Sequence, residues 1–177
     1  MTGPSGVAHL VCGSTGAGKT TYAVRLAEEL GAVRFSVDEW MSALFWMDAP
    51  QPLDPAWAMQ RVQRCAAQIW RTAVAACKSG VPCVLELGLT TAATRARYVA
   101  LAREAGLGVK LHAVDAPVEE RWRRVEGRNR SQQGPEQLPF EVTREMFDFV
   151  ESMWEPPTDA ELAGCDGVRI ATSPAEG

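Results

Sequence analysis

Short apolar runs alternate with longer stretches whose apolar residues recur at helical spacing, and this alternation predicts an α/β protein. Val7–Gly13 reads as a buried strand, and Lys19–Leu30 as a helix closed by Gly31. Ala32–Val37 reads as a second strand ending at Asp38, and Trp40–Trp46 as a short helix before the proline-rich loop Asp48–Pro55. A long helix over about Ala56–Lys78 lines up Val62, Ile69, Ala73 and Ala76 on one side. Val81–Leu87 follows as a central strand, with Pro82 at its entry where a missing N–H matters least.

Thr90–Ala105 continues as a helix with Gly106 at its end, Val109–Val114 as a strand, and Pro117–Arg128 as a helix with proline in its first turn. Ser131–Pro139 reads as a mobile loop. Thr143–Trp154 reads as a helix capped by Thr143 and stopped by Pro156 and Pro157, and Val168–Ala171 as a last strand. Five strands separated by helices imply a mainly parallel sheet covered on both faces, a three-layer α/β/α architecture. In such a sheet the ligand site lies along the edge formed by the strand C-termini.

At that edge stands Gly13-Ser14-Thr15-Gly16-Ala17-Gly18-Lys19-Thr20, the GxxxxGK[ST] phosphate loop, between a predicted strand and a predicted helix. Its glycines let successive N–H groups converge on an anion, and the helix beginning at Lys19 adds the positive end of its dipole. Lys19 then reaches the β- and γ-phosphates and the Thr20 hydroxyl holds Mg²⁺. The chain is therefore expected to bind a nucleoside triphosphate. The guanine-recognition motif NKxD is absent, which argues against a Ras-like GTPase.

Two carboxylates close strands beside this loop. Asp38, in Ser36-Val37-Asp38-Glu39-Trp40, can accept the proton of an attacking hydroxyl or cap the following helix. Glu86 can hold Mg²⁺ through water, bind a substrate hydroxyl, or stand as a buried carboxylate satisfied by neighbouring N–H groups. Further along, Arg121, Arg124 and Arg128 share one helix face that runs toward the predicted loop. They are either lid arginines that neutralise transferring phosphoryl oxygens, with Arg128 and Arg124 the best placed, or a solvated basic face.

These elements together resemble the small P-loop kinase family, which includes polynucleotide kinases, zeta toxins and chloramphenicol phosphotransferases. The resemblance rests on the phosphate loop, SVDEW after strand two, LELG at strand three and the RWRRVEGRN stretch, and covers most of residues 7–155. Phe140–Pro157 also resembles a C-terminal helix of bacterial ATP-binding members. The resemblance implies a single kinase-like domain over the whole chain, with a lid over about 119–140 and a C-terminal helix over about 143–155. It implies ATP with Mg²⁺, Asp38 as base, and transfer of the γ-phosphate to a hydroxyl. Two positions depart from the family pattern. Glu86 stands where many relatives have aspartate, and Glu39–Phe45 contains no arginine, which weakens the polynucleotide reading.

Composition narrows the picture further. The chain has 177 residues, 46% of them hydrophobic and 23% charged, enough for one domain with a sizeable core. No apolar run approaches the ~20 residues that span a bilayer, and no secretory pattern opens the chain, so no membrane association is expected. Five scattered cysteines without a CxxC pair suit a reducing, cytoplasmic setting. The net charge of −4 hides an uneven distribution. Pro55–Leu85 carries +4 with no acid, and Glu136–Asp166 carries −8.

Trp57, Arg61, Arg64, Gln68 and Arg71 fall on one helical face, which reads as solvated surface or as the border of a pocket for an anionic acceptor. Trp40 and Trp46 read as core or as walls of a pocket around Asp38 for an apolar or aromatic acceptor, and with Arg61 and Arg64 they are the candidate acceptor-pocket residues. A small-molecule or nucleotide-like acceptor is expected ahead of nucleic acid. A nucleotide-binding module or slow NTPase without acceptor is the competing class, and monomer and homodimer both stay open.

Overall fold

The computed structural model describes residues 6–131 and 141–172. Strand β1 (Val7–Cys12) runs through the middle of the sheet, and five of its six residues are buried. It pairs in parallel with β3 (Cys83–Glu86) on one side and β4 (Gly108–Asp115) on the other. Strands β2 (Val33–Ser36) and β5 (Val168–Ala171) form the edges, so the order is β2-β3-β1-β4-β5, all parallel. A parallel strand covered on both faces must be largely apolar on both, which explains why β1 is apolar except at His9 and β3 up to its closing Glu86. The edge strands are short, four residues each, and only Ser36 among their residues is fully buried.

Successive residues of a strand point to opposite faces, and the core divides accordingly. Ala8, Leu10, Cys12, Leu85, Leu111 and Ala113 face one layer of helices. That layer contains α3 (Pro55–Lys78), α4 (Ala92–Glu104) and the short α7 (Asp159–Ala163). Val11, Val84 and Val114 face α1 (Lys19–Leu30), which contributes Ala23, Leu26 and Ala27. Beside these layers α5 (Val118–Ser131) packs on α6 (Arg144–Met153) through Val125, Phe147 and Trp122. This is the three-layer α/β/α P-loop fold.

All five expected strands are present, with β5 on the expected residues. Helix α1 and its closing Gly31 also fall as expected. The second helix differs: α2 spans Val37–Phe45 rather than beginning at Trp40, and a 3-10 turn carries the chain through Trp46–Asp48. Ser36 supplies the reason, because its side chain accepts from the Glu39 N–H and starts the helix directly at the strand end. Helix α5 runs on to Ser131. The rest of the Ser131–Pro139 loop, and residues 132–140 of the expected lid, lie outside the described residues. Helix α7 was not expected from the sequence; Thr158 and Glu161 form a capping box that starts it.

The five cysteines are free and buried. Among the described residues, no helix is long and apolar enough to cross a membrane.

Candidate active site

The strand ends set the site. The register pairs Ser36 with Glu86, so the start of α2 and the end of β3 lie side by side next to the loop that follows β1. That loop turns on Gly16 and Gly18, both in the left-handed region at φ of 77° and 91°. A Cβ on Gly16 would run into the backbone of Arg121, so the loop lies directly on α5.

Helix α1 differs from its neighbours at its first turn. The starts of α2, α3, α4, α6 and α7 are each covered by an oxygen side chain, from Ser36, Asp54, Thr91, Thr143 and Thr158. Helix α1 is preceded by Gly18 and has no side-chain cap, which leaves its first N–H groups for an anion. The carbonyls of the loop turn the other way. Arg121 Nη1 donates to the Thr15 carbonyl at 3.4 Å, and Arg124 Nη1 to those of Gly16 and Ala17 at 3.4 Å. In a trans peptide the next N–H points opposite to the carbonyl, so the Gly16 and Gly18 N–H groups face away from α5. That arrangement is an anion nest.

Lys19 Nζ donates to the Ser14 carbonyl at 2.9 Å. Burial pulls the ammonium below its ordinary pKa, while Asp38, Glu86 and the Cys12 thiol act to keep it charged. The Thr20 hydroxyl donates to Glu86 Oε1 at 3.2 Å. Glu86 is 7% exposed, and burial raises its carboxyl above the ordinary range against the pull of Arg34 and Lys19. A hydroxyl and a carboxylate in contact beside a phosphate nest are the oxygen donors that suit Mg²⁺. Among the described residues no group of three or more His, Cys, Asp or Glu is arranged to hold a metal. A Mg²⁺ here would therefore be held by Thr20 and Glu86 together with phosphate and water.

Asp38 occupies the second position of α2, inside the first turn, so capping falls to Ser36. It is accessible to solvent yet crowded by protein, as expected on the wall of a cleft. That crowding raises its carboxyl above the ordinary value, opposed by the cations of Lys19 and Arg128. Arg128 in turn is held below its ordinary value by burial and sustained by Asp38. Its Nη2 is buried without a hydrogen-bond partner among the described residues. The charges of Asp38, Lys19 and Arg128 thus act on one another.

The other arginines of α5 do different work. Arg121 is 2% exposed and forms a two-pronged ion pair with Glu151 of α6, both N···O distances being 2.7 Å. Arg124 is held by Glu120, by the loop carbonyls and by Thr172. Both brace the back of the phosphate loop, and of the three it is Arg128 whose charge acts on Asp38.

Two participants escaped the sequence reading. Arg34 of β2 donates to Glu86 through Nε at 2.8 Å and to Glu39 through Nη1 at 2.6 Å, a cation bridging two carboxylates of the site. Its signal was a lone charge inside the apolar run of the second strand. Glu151 also accepts from the Ser14 hydroxyl at 2.7 Å, which joins α6 to the phosphate loop.

Trp40 packs against the core and meets Phe35 edge-on, with ring centroids 6.3 Å apart. Trp46 lies half-buried in the 3-10 turn. Arg61 sits over the Trp57 ring at 4.0 Å and the Phe45 ring at 5.9 Å, between α2 and α3. Arg64 is exposed, as are Gln68 and Arg71, which bond each other.

The sequence matches the AAA domain family over residues 9–153. No curated protein matches it by sequence. Among solved structures it resembles a Chloroflexus aurantiacus protein at a TM-score of 0.69 and 17% identity, over 96% of this chain and 85% of that one. It resembles Chaetomium thermophilum Kti12, solved in complex with ADP-AlF3, at 0.66 and 17% identity over 96% and 91%. It also resembles the Mycobacterium tuberculosis APS kinase CysC, solved with AMPPNP and APS, at 0.60 and 17% identity over 97% and 91%. The chain belongs to the AAA domain family, and its fold is that of the small P-loop kinases.

Proposed function

We propose that this protein is an ATP-dependent phosphotransferase that moves the γ-phosphate to a hydroxyl of a small or nucleotide-like acceptor. The observation that carries the reading is the trio of Asp38, Lys19 and Arg128, in which a buried guanidinium Nη2 has no hydrogen-bond partner among the described residues and the Asp38 carboxylate acts on its charge. A buried, unpaired donor is costly, and an anion between it and Lys19 removes that cost. Preference for ATP follows the kinase likeness; the complexes of Kti12 with ADP-AlF3 and of APS kinase with AMPPNP support it.

The phosphates lie on the Gly13–Thr20 nest, with Lys19 on the β- and γ-oxygens. Mg²⁺, once bound, would neutralise charge on those oxygens. Asp38 takes the proton of the acceptor hydroxyl as the acceptor oxygen forms its bond to the γ-phosphorus. The bond from that phosphorus to the bridging oxygen breaks, and ADP leaves with the electron pair. Arg128 faces the charge spread over the transferring oxygens.

The test compares wild type with Asp38→Asn in ATP consumption and in label transfer from γ-labelled ATP. Asp38→Asn is expected to keep ATP binding and to lose transfer by about 10²–10⁴-fold. Full transfer by Asp38→Asn would refute the assignment, and tight binding with only slow acceptor-independent hydrolysis in wild type would indicate a nucleotide-binding module.

A further inference from the structure

The geometry points to a second acceptor subsite at Arg61, and hence to an acceptor that carries an anionic group about 10 Å from the hydroxyl it presents to Asp38. This rests on the phosphotransferase reading and specifies its substrate class.

The distance follows from α2. Asp38 and Phe45 lie seven residues apart on the same face, close to two full turns and about 10 Å along the axis. At the Asp38 end is the phosphate-transfer chemistry. At the Phe45 end is Arg61, reaching across from α3, its guanidinium over the rings of Trp57 and Phe45. Arg61 Nη1 also donates to the Trp57 carbonyl at 3.1 Å, which fixes the group further.

Charge balance is the second observation. Arg34, Arg95, Arg121 and Arg124 each pair with a carboxylate. Arg61 pairs with none among the described residues, and no acidic residue occurs from Pro55 to Leu85. The nearest acid before it, Asp54, is committed to the Ala56 N–H at the start of α3. A half-buried guanidinium set over two aromatic rings, with no carboxylate partner among the described residues, suits a carboxylate or phosphate.

Exposure is the third. Leu44 and Met59, 56% and 57% exposed, and the almost fully exposed Met47 all lie at this end of α2 and the start of α3. Apolar side chains gathered in water beside a fixed cation suit a surface that meets a ligand. Arg61 is thus a specificity determinant, remote from the reacting atoms.

The experiment incubates the full chain with γ-labelled ATP and Mg²⁺ and offers matched hydroxyl compounds that differ in charge. Hydroxy acids of graded length are paired with their amides, and nucleoside monophosphates with their nucleosides; a 5′-hydroxyl oligonucleotide is a further arm. Label is expected on the anionic member of a pair with kcat/KM at least about tenfold above the neutral one, the scale of one charge-assisted contact. Arg61→Gln is expected to remove that preference by raising KM about tenfold with little change in kcat, and Arg61→Lys to fall between. Arg71→Gln, on the exposed face, should keep the preference.

Equal use of neutral and anionic members would overturn the subsite, as would a preference that survives Arg61→Gln. Use of the oligonucleotide alone, with steep salt dependence, would overturn the small-anion assignment. ATP binding without transfer to any member would count against the phosphotransferase reading itself, and the subsite would fall with it.

Discussion

The Ser14 hydroxyl donates to Glu151 Oε2 at 2.7 Å, so the second residue of the phosphate loop is tied to a helix 137 residues further along the chain. The same carboxylate receives both prongs of Arg121, whose Nη1 also reaches the Thr15 carbonyl. Glu151 therefore joins α5, α6 and the loop, and loop shape depends on a residue outside the loop.

Glu151→Ala leaves the buried Arg121 without its carboxylate. Breaking a buried pair costs about 3–5 kcal/mol, and the partial exposure of Glu151 reduces this to about 1–3 kcal/mol. The expected fall in Tm is roughly 3–10 °C, with weaker ATP binding by titration calorimetry. Ser14→Ala removes one neutral donor and should cost about 1 kcal/mol. The Arg121 guanidinium holds the Glu151 carboxyl below its ordinary value of 4.5. Its stabilising contribution is thus complete above that pH and is lost as pH falls through the lowered value.

Arg34 and Glu86 form the next coupled pair, with Nη2 and Oε2 2.8 Å apart. Arg34→Ala strands a buried carboxylate already raised by burial, and should destabilise the protein by about 3 kcal/mol. Glu86→Gln costs less, because Arg34 retains Glu39. The double variant should be more stable than the sum of the singles predicts by about 1–3 kcal/mol, read from urea unfolding. Strict additivity would show that the bridge contributes nothing.

Asp38 must be ionised to accept a proton, and its carboxyl lies above the ordinary 3.8. The acid limb of kcat/KM should therefore lie higher than for an ordinary aspartate, with rate increasing as pH rises through it. Arg128 lowers the Asp38 pKa, so Arg128→Gln should displace that limb to higher pH. It should also reduce kcat on the order of a hundredfold or more through lost charge stabilisation. A lower kcat with an unmoved limb would separate Arg128 from Asp38.

What the sequence made legible was local. The strand, glycine loop and lysine of residues 7–20 follow one another, and their expected roles come from spacing alone. Asp38 was legible for the same reason, since it lies two residues past a strand end. Arg34 was not: Glu39–Phe45, downstream of Asp38, contains no arginine, whereas the Ser36–Glu86 register brings one from upstream on β2. Glu151 was hidden among nine acids that read together as solvated surface, and its partners lie 30 and 137 residues away. Arg121, Arg124 and Arg128 share a face in sequence, yet the loop lies across the first two, and the third is the one whose charge acts on Asp38. Helix α7, at five residues, is too short to show a period.

The two histidines carry the last prediction. His9 and His112 stand on adjacent strands, where Val11 pairs with His112 and places both rings on the α1 face. Their ring nitrogens lie 3.0 Å apart, and the Tyr22 hydroxyl of α1 lies 2.7 Å from His112 Nδ1. With neutral rings each contact can hold one shared proton, running from tyrosine through both rings or in reverse. A second proton on either ring would put a charge in the core, beside Lys110. Burial and the neighbouring His9 accordingly push His112 from 6.5 down to about 4. The unfolded chain binds that proton more readily, so stability should be complete above pH 6.5 and fall progressively to about pH 4. The span of those two values corresponds to a loss of about 3 kcal/mol. Urea unfolding at intervals from pH 7.5 to 4 should show this slope, and His112→Gln, which cannot titrate, should flatten it. An unchanged slope in His112→Gln would assign the acid sensitivity to His9, which burial also holds below its ordinary value, and to the Glu151 carboxylate paired with Arg121.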